Sequence, residues 1–137
     1  MTLSKVFSDE YVVVEANPEK ELIKLTWSQH TSGLPLRAAL EEALQYAIHN
    51  GISRWLFDMR KLCYTTIADQ SWTTHTFFPA FDQWKRHKLA CLVPSDRLEL
   101  LPENLIQEAI QNDFHLRDHF ELELFTEIET AELWLSV

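Results

Sequence analysis

Two short runs near the start of the chain alternate apolar and polar residues: Tyr11 to Ala16 (YVVVEA) and Leu22 to Trp27 (LIKLTW), parted by Asn17-Pro18-Glu19-Lys20. A period of two with β-branched residues predicts half-buried strands, and the turn residues between them join the pair as a hairpin. The period then changes. Leu36, Leu40, Ala43, Leu44, Ala47 and Ile48 recur at helical spacing between Pro35 and Asn50, with Pro35 suited to a first turn and Gly51 to the position past the last. Trp55-Leu56-Phe57 is a wholly apolar run closed by Asp58, as expected of a strand covered on both faces.

Thr66-Ile67-Ala68-Asp69 fits a Thr-x-x-Asp capping pattern, so a second helix is expected from near Ile67, carrying Trp72, Phe77, Phe78, Phe81 and Trp84 and kinked at Pro79. Leu89 to Val93 (LACLV) reads as a central strand, and Pro102 to Asn112, with Leu105, Ile106, Ala109 and Ile110 on one side, as a third helix. Phe120 to Phe125 (FELELF) alternates as a strand with a solvated face. Thr126-Glu127-Ile128-Glu129 then opens a last helix with a capping box, its apolar side made by Ile128, Ala131, Trp134 and Leu135. The predicted order is β-β-α-β-α-β-α-β-α: an α/β fold with a single mixed, mostly parallel sheet of about five strands flanked by helices. A length of 137 residues makes this one domain, 1–137, able to bury about 70% of its unfolded surface.

Charge narrows the partners. Residues 1–98 balance 11 acids against 11 Lys and Arg, whereas residues 99–137 hold 10 acids and Arg117 alone, so the whole net charge of -9 belongs to the C-terminal part. Nucleic acid and anionic lipid need clustered bases, so no nucleic-acid partner is expected. The chain has no long apolar stretch and its start lacks a signal-peptide core, which predicts a cytoplasmic protein without stable membrane insertion. Gly33 and Gly51 both fall at helix boundaries, leaving no glycine-rich loop for a nucleotide, and no cofactor is expected. Cys63 and Cys91 have neither redox nor metal spacing. His115 and His119 would share a helical face, but the segment reads as passing into a strand and offers no third ligand, so no metal is expected.

The order of several features resembles the bacterial SpoIIAA-like group, STAS/SEC14-type domains related to anti-sigma factor antagonists. They are Leu25-Thr26-Trp27, then Trp55-Leu56-Phe57-Asp58, then Trp72 with Phe78-Pro79, and an ending from Leu124-Phe125 through Ala131-Glu132-Leu133-Trp134-Leu135. The resemblance implies a non-enzymatic regulatory or protein-interaction module. In phosphoswitched STAS members an Asp-Ser-Ser-Gly-like motif follows the matching strand; here Asp58 is followed by Met59-Arg60-Lys61-Leu62, without the serine and glycine. Thr65 or Thr66 replaces that serine only with a different loop geometry, and the plainer role of Thr66 is an N-cap. The SEC14-like layout implies an apolar pocket.

The candidate site lies at the carboxyl end of the Trp55–Asp58 strand, where α/β sheets place their ligands. Asp58 and Arg60 are its polar anchors, and Trp72 and His75, which fall off the Phe77 and Phe81 stripe, its wall. The plain alternative gives Asp58 to a turn and the rings to the core. Three functions follow: a self-associating interaction module, expected as a dimer; a carrier of a small apolar or lipid-like ligand under the aromatic helix; and an enzyme of unrecognised type, which would need titratable groups converging in a cleft.

Overall fold

The computed structural model describes residues 2–96 and 102–137, with side chains from residue 106 onward in the second stretch. Six strands form one mixed sheet whose spatial order repeats the order in the chain: β1 (Ser4–Ser8), β2 (Val12–Asn17), β3 (Leu22–Trp27), β4 (Arg54–Asp58), β5 (His87–Leu92) and β6 (Phe120–Phe125). The first two pairings are antiparallel and the next three parallel. Five α-helices accompany them among the described residues: α1 (Leu34–His49), α2 (Ile67–Trp72), α3 (Pro102–Asn112), α4 (Phe114–His119) and α5 (Ile128–Ser136). No helix among these residues is long and apolar enough to cross a membrane.

The hairpin forms from its turn chemistry. Asn17 Oδ1 accepts from the Lys20 N–H at 3.3 Å, a short 3-10 turn spans Pro18–Lys20, and Glu21 takes the left-handed conformation with its N–H on Pro18 O. Val12, Val14 and Ala16 are then buried on one face while Val13 and Glu15 stay half-exposed on the other. In α1, buried Leu36, Ala39, Leu40, Ala43, Leu44 and Ala47 make the inward stripe; Ile48, expected with them, is 42% exposed.

Because each parallel strand pairs with the next in sequence, every right-handed crossover turns the same way and delivers its helices to the same face. Accordingly Trp55, Phe57, Leu89, Cys91 and Leu122 pack in one core with α1, α3, α4 and Phe77, Phe78 and Phe81. After β6, α5 folds back beneath the opposite face, where Ala131 and Leu135 cover Leu22, Leu56 and Ala90. Lys88 holds its end: Nζ lies 4.7 Å from the Trp134 ring centroid and donates to the carbonyls of Trp134 and Val137, which suits the negative end of a helix.

Four expectations need correction. The sheet has six strands, because Ser4–Ser8 adds an edge strand; a register shift between Lys5 and Phe7 breaks its alternation, so Val6 and Phe7 both pack on the same core. The second helix is not continuous to Trp84. After Trp72 the chain widens into a π-helical turn over Thr73–Phe77, tightens to 3-10 at Phe78–Ala80, and is extended at Phe81. The causes are local: the Thr73 and Thr74 hydroxyls donate back to the carbonyls of Asp69 and Gln70, and Pro79 has no N–H to continue the ladder. The last helix starts from Glu127 without a side-chain cap, so the Thr126–Glu129 capping box does not form. His115 and His119 lie on a true helix, α4, with ring centroids 4.8 Å apart. Leu105, expected on the apolar side of α3, lies outside the described side chains; Ile110 is buried and Ile106 half-buried.

Gly33, at φ 66 and ψ -140, sits where only glycine is comfortable, although a Cβ there would meet nothing within 4 Å. Gly33→Ala is therefore expected to lose about 1–3 kcal/mol through backbone strain alone. Urea unfolding measures this, and a variant as stable as the parent would show that the α1 entry relaxes freely.

Candidate functional site

β3 to β6 run parallel, so Trp27, Asp58, Leu92 and Phe125 end at one edge of the sheet, the edge at which α/β folds bind ligands. Asp58 is 5% exposed. Arg60 doubles back onto it, Nε donating to Oδ1 at 3.0 Å and Nη2 to Oδ2 at 2.8 Å, while its backbone N–H reaches Oδ1 at 3.3 Å. Such a two-pronged pair fixes direction as well as distance. The hydrogen bond to Asp58 pushes the Arg60 pKa up against its partial burial, helped by the charges of Asp58, Glu129 and Glu127. Arg60 thus sits in the field of the first turn of α5. The guanidinium stays charged, and the pair holds the loop after β4.

Alternation along β4 decides what else this pair can meet. Trp55 and Phe57 point into the core beneath α1 and α2, whereas Leu56 packs against α5, and Asp58 shares the parity of Leu56. Trp72 belongs to the other side: it is half-buried, stacks on Phe77 with centroids 5.5 Å apart, and carries the Arg37 guanidinium 5.8 Å from its centroid. His75 is exposed on the same segment, its Nδ1 2.9 Å from the Ser71 carbonyl. The sheet therefore separates Asp58 and Arg60 from Trp72 and His75 and does not assemble them into one site.

Thr66 is the N-cap of α2, its Oγ1 accepting the Asp69 N–H at 3.0 Å. Thr65 uses its carbonyl to accept from Gln70 Nε2 at 3.1 Å. The residue that carries most of this corner is Asp69, which sequence reasoning treated only as part of the cap. It is 1% exposed, and its carboxylate accepts the Gly33 N–H and Arg37 Nε, each at 2.9 Å, tying the start of α1 to the start of α2. Burial alone would push its pKa up, but the Gly33 N–H, Arg37 and Thr66 outweigh it and hold the carboxyl below its usual range. No local signal joins Asp69 to a partner 32 residues earlier.

Between these helices and the carboxyl half of the sheet lies a cavity of about 70 Å³. Trp27, Leu36, Phe57 and Cys91 form part of its floor and walls, and Thr73 and Phe77 of the π-helical turn contribute to its roof. Among the described residues its lining contains no acid, histidine, lysine or arginine. Trp27 is 2% exposed, and its indole Nε1 has no hydrogen-bond partner among the described residues. A second void, about 10 Å³, adjoins Trp55 and His87, whose Nε1 and Nδ1 are likewise unpaired, and is large enough for a single water. His87 Nε2 is satisfied by Asp82 O at 2.9 Å, and burial pushes the imidazole pKa down, opposed by Asp82.

Among the described residues no group of three or more His, Cys, Asp and Glu is arranged to hold a metal ion, so His115 and His119 remain a pair. Comparison of the chain with protein-family models, with curated proteins and with solved structures returned no match.

Asp69 has a lowered folded pKa, so its stabilisation is fully present above its unfolded value of about 4 and fades as pH falls through the depressed one. Asp69→Asn, which keeps the shape and removes the charge, is expected to cost about 1–3 kcal/mol at neutral pH, solvent around the partly exposed Arg37 limiting the loss. Paired urea titrations should show the gap between parent and variant narrowing below that pH. A gap of constant size would mean that the charge contributes nothing.

Proposed function

We propose that this chain is a non-enzymatic binding module of SpoIIAA-like type that holds a small, largely apolar ligand between the sheet and the roof formed by α1 and the π-helical turn. The observation that carries this reading is the cavity at the carboxyl ends of β3 to β5, built almost wholly from apolar side chains. The pocket is half open to solvent, and its volume of about 70 Å³ suits a small guest or one end of a larger one. With no ionisable acid or base pair among the described residues of its lining, binding is favoured over catalysis. The roof also favours it, since π-helical turns concentrate at functional sites.

A phosphoswitch has less support. Thr66, the residue nearest to the absent serine in role, already spends its hydroxyl on the cap of α2. A contact with a second copy or a protein partner is favoured by Trp84, which is 96% exposed between Gln83 and Lys85 in the turn before β5. An indole left in water is unusual for a ring that burial would otherwise stabilise, and such rings anchor interfaces. Sedimentation of the parent and Trp84→Ala would test it: a parent that is monomeric at every concentration removes self-association.

Xenon NMR of the parent and of Cys91→Leu tests the cavity. Leucine replaces one sulfur by three carbons at a wall of the void, so the variant should fold with a stability change within about 1.5 kcal/mol and exclude xenon, whereas the parent admits it. A parent that excludes xenon removes the reading.

A further inference from the structure

We infer that the cleft between the Pro18–Lys20 turn, the start of β4 and the end of α5 is a separate binding site for a small monocarboxylate, whose carboxylate group Arg54 receives. The cleft has a volume of about 480 Å³ and is bordered by Glu19, Lys20, Leu22, Arg54, Leu135 and Ser136. Ligand pockets are commonly of this size. It lies on the α5 face, across the sheet from the apolar cavity and at the amino ends of the parallel strands.

Strand parity says which part of Arg54 meets the cleft. Leu56 packs against α5, and Arg54 shares its parity on β4, so its side chain leaves the sheet on that same face, beside Leu22 of β3 and Lys88 of β5. Leu22 and Leu135 mark the cleft as belonging to that face. Arg54 is half-buried, yet its guanidinium enters no hydrogen bond or ion pair among the described residues, unlike Arg37, Arg60 and Lys85. A guanidinium carries donors alone and cannot lose its charge, so a half-buried one calls for an acceptor. Two neighbouring charges are already engaged. Lys88 Nζ is turned onto the carbonyls of Trp134 and Val137, and Glu21, which feels the charge of Arg54, gives Oε1 to Lys85 Nζ at 2.8 Å.

The lining also sets the charge of the guest. Lys20 and Arg54 are opposed by Glu19, which leaves the cleft one positive charge in excess, in a chain whose net charge is -9. A single negative charge matches that excess. A dianion such as phosphate would bring a second charge against Glu19, and a cation would meet the unpaired guanidinium. The planar fork of arginine fits a carboxylate through parallel N–H···O bonds, which gives this anion its geometry as well as its charge.

Butyrate and butyramide make the test, because they share a shape and differ in charge; inorganic phosphate is the third probe. Each is titrated at low salt into the isotopically labelled full chain and followed by NMR. Butyrate should move the Arg54 Nε–H resonance and the backbone amides of Lys20 and Ser136, butyramide should not, and phosphate should bind less tightly than butyrate. Arg54→Gln should weaken butyrate roughly tenfold, and Glu19→Gln, which removes the opposing charge, should tighten it. Because the guanidinium bonds to nothing within the described chain, Arg54→Gln should unfold in urea at the parent's midpoint or above it, which separates lost binding from lost fold. Butyrate shifts confined to residues around Cys91, or equal binding by the parent and Arg54→Gln, would overturn the site. Tighter binding of phosphate would overturn the carboxylate. Should Arg54→Gln not fold, the shifts in the parent and the response of Glu19→Gln decide.

Discussion

The strands of this sheet lie side by side in the order in which the chain makes them, and most of the molecule follows from that. Each parallel crossover moves one place in the same direction, so the right-handed rule has only one face to offer α1, α2 and α3. That face must absorb nearly all of the large side chains. Trp55, Phe77, Phe78, Phe81 and Phe120 meet there, with neighbouring ring centroids 4.8–6.1 Å apart. The opposite face is left to α5, a helix of nine residues, and beyond it the strands present Glu15, Lys24 and Thr26 beside Val13, all half-exposed. A one-sided core filled with bulky rings is hard to pack without gaps, and the cavity beneath the π-helical turn is where the rings and the helix ends fail to close.

Much of this was legible because the relevant signals are local. The hairpin follows from alternation and the Asn17-Pro18 turn, α1 from its stripe of leucine and alanine between Pro35 and Gly51, β4 and β5 from apolar runs, and the start of α2 from Thr66. β1 escaped notice because Ser4–Ser8 is only partly buried and its bulge destroys the period of two that identifies a strand. The π-helical turn escaped because threonine hydroxyls and a proline rearrange carbonyl partners without altering the hydrophobic spacing. Asp69 escaped because its meaning lies in Gly33 and Arg37, far along the chain.

The candidate site divides along the same line. Its position at the strand ends was a matter of topology and needed only the order of elements. Its composition depended on parity: residues 55 and 57 turn one way and residues 56 and 58 the other, and only the placement of α2 and α5 says which helix each set will meet. Asp58 therefore finds Arg60 and the acidic start of α5, while Trp72 finds Arg37 and Phe77. The loop after β4 serves both sides at once. Its Asp58–Arg60 fork anchors it below the sheet, and Met59 and Leu62 reach into the cavity lining above.

The bulge in β1 and the glutamates of β6 have a bearing on how copies of this chain can meet. A sheet whose first and last strands in sequence are also its two edges leaves backbone groups there to be satisfied locally, as Gln107 Nε2 does for the Leu122 carbonyl of β6 at 2.7 Å. One edge is shortened, interrupted between Lys5 and Phe7 and marked by a lysine; the other carries Glu121 and Glu123, which would face their own kind across an antiparallel seam. Both ends are thereby guarded against zippering into a continuous sheet. The interrupted register of one edge and the two glutamates of the other thus disfavour edge-to-edge pairing of folded copies.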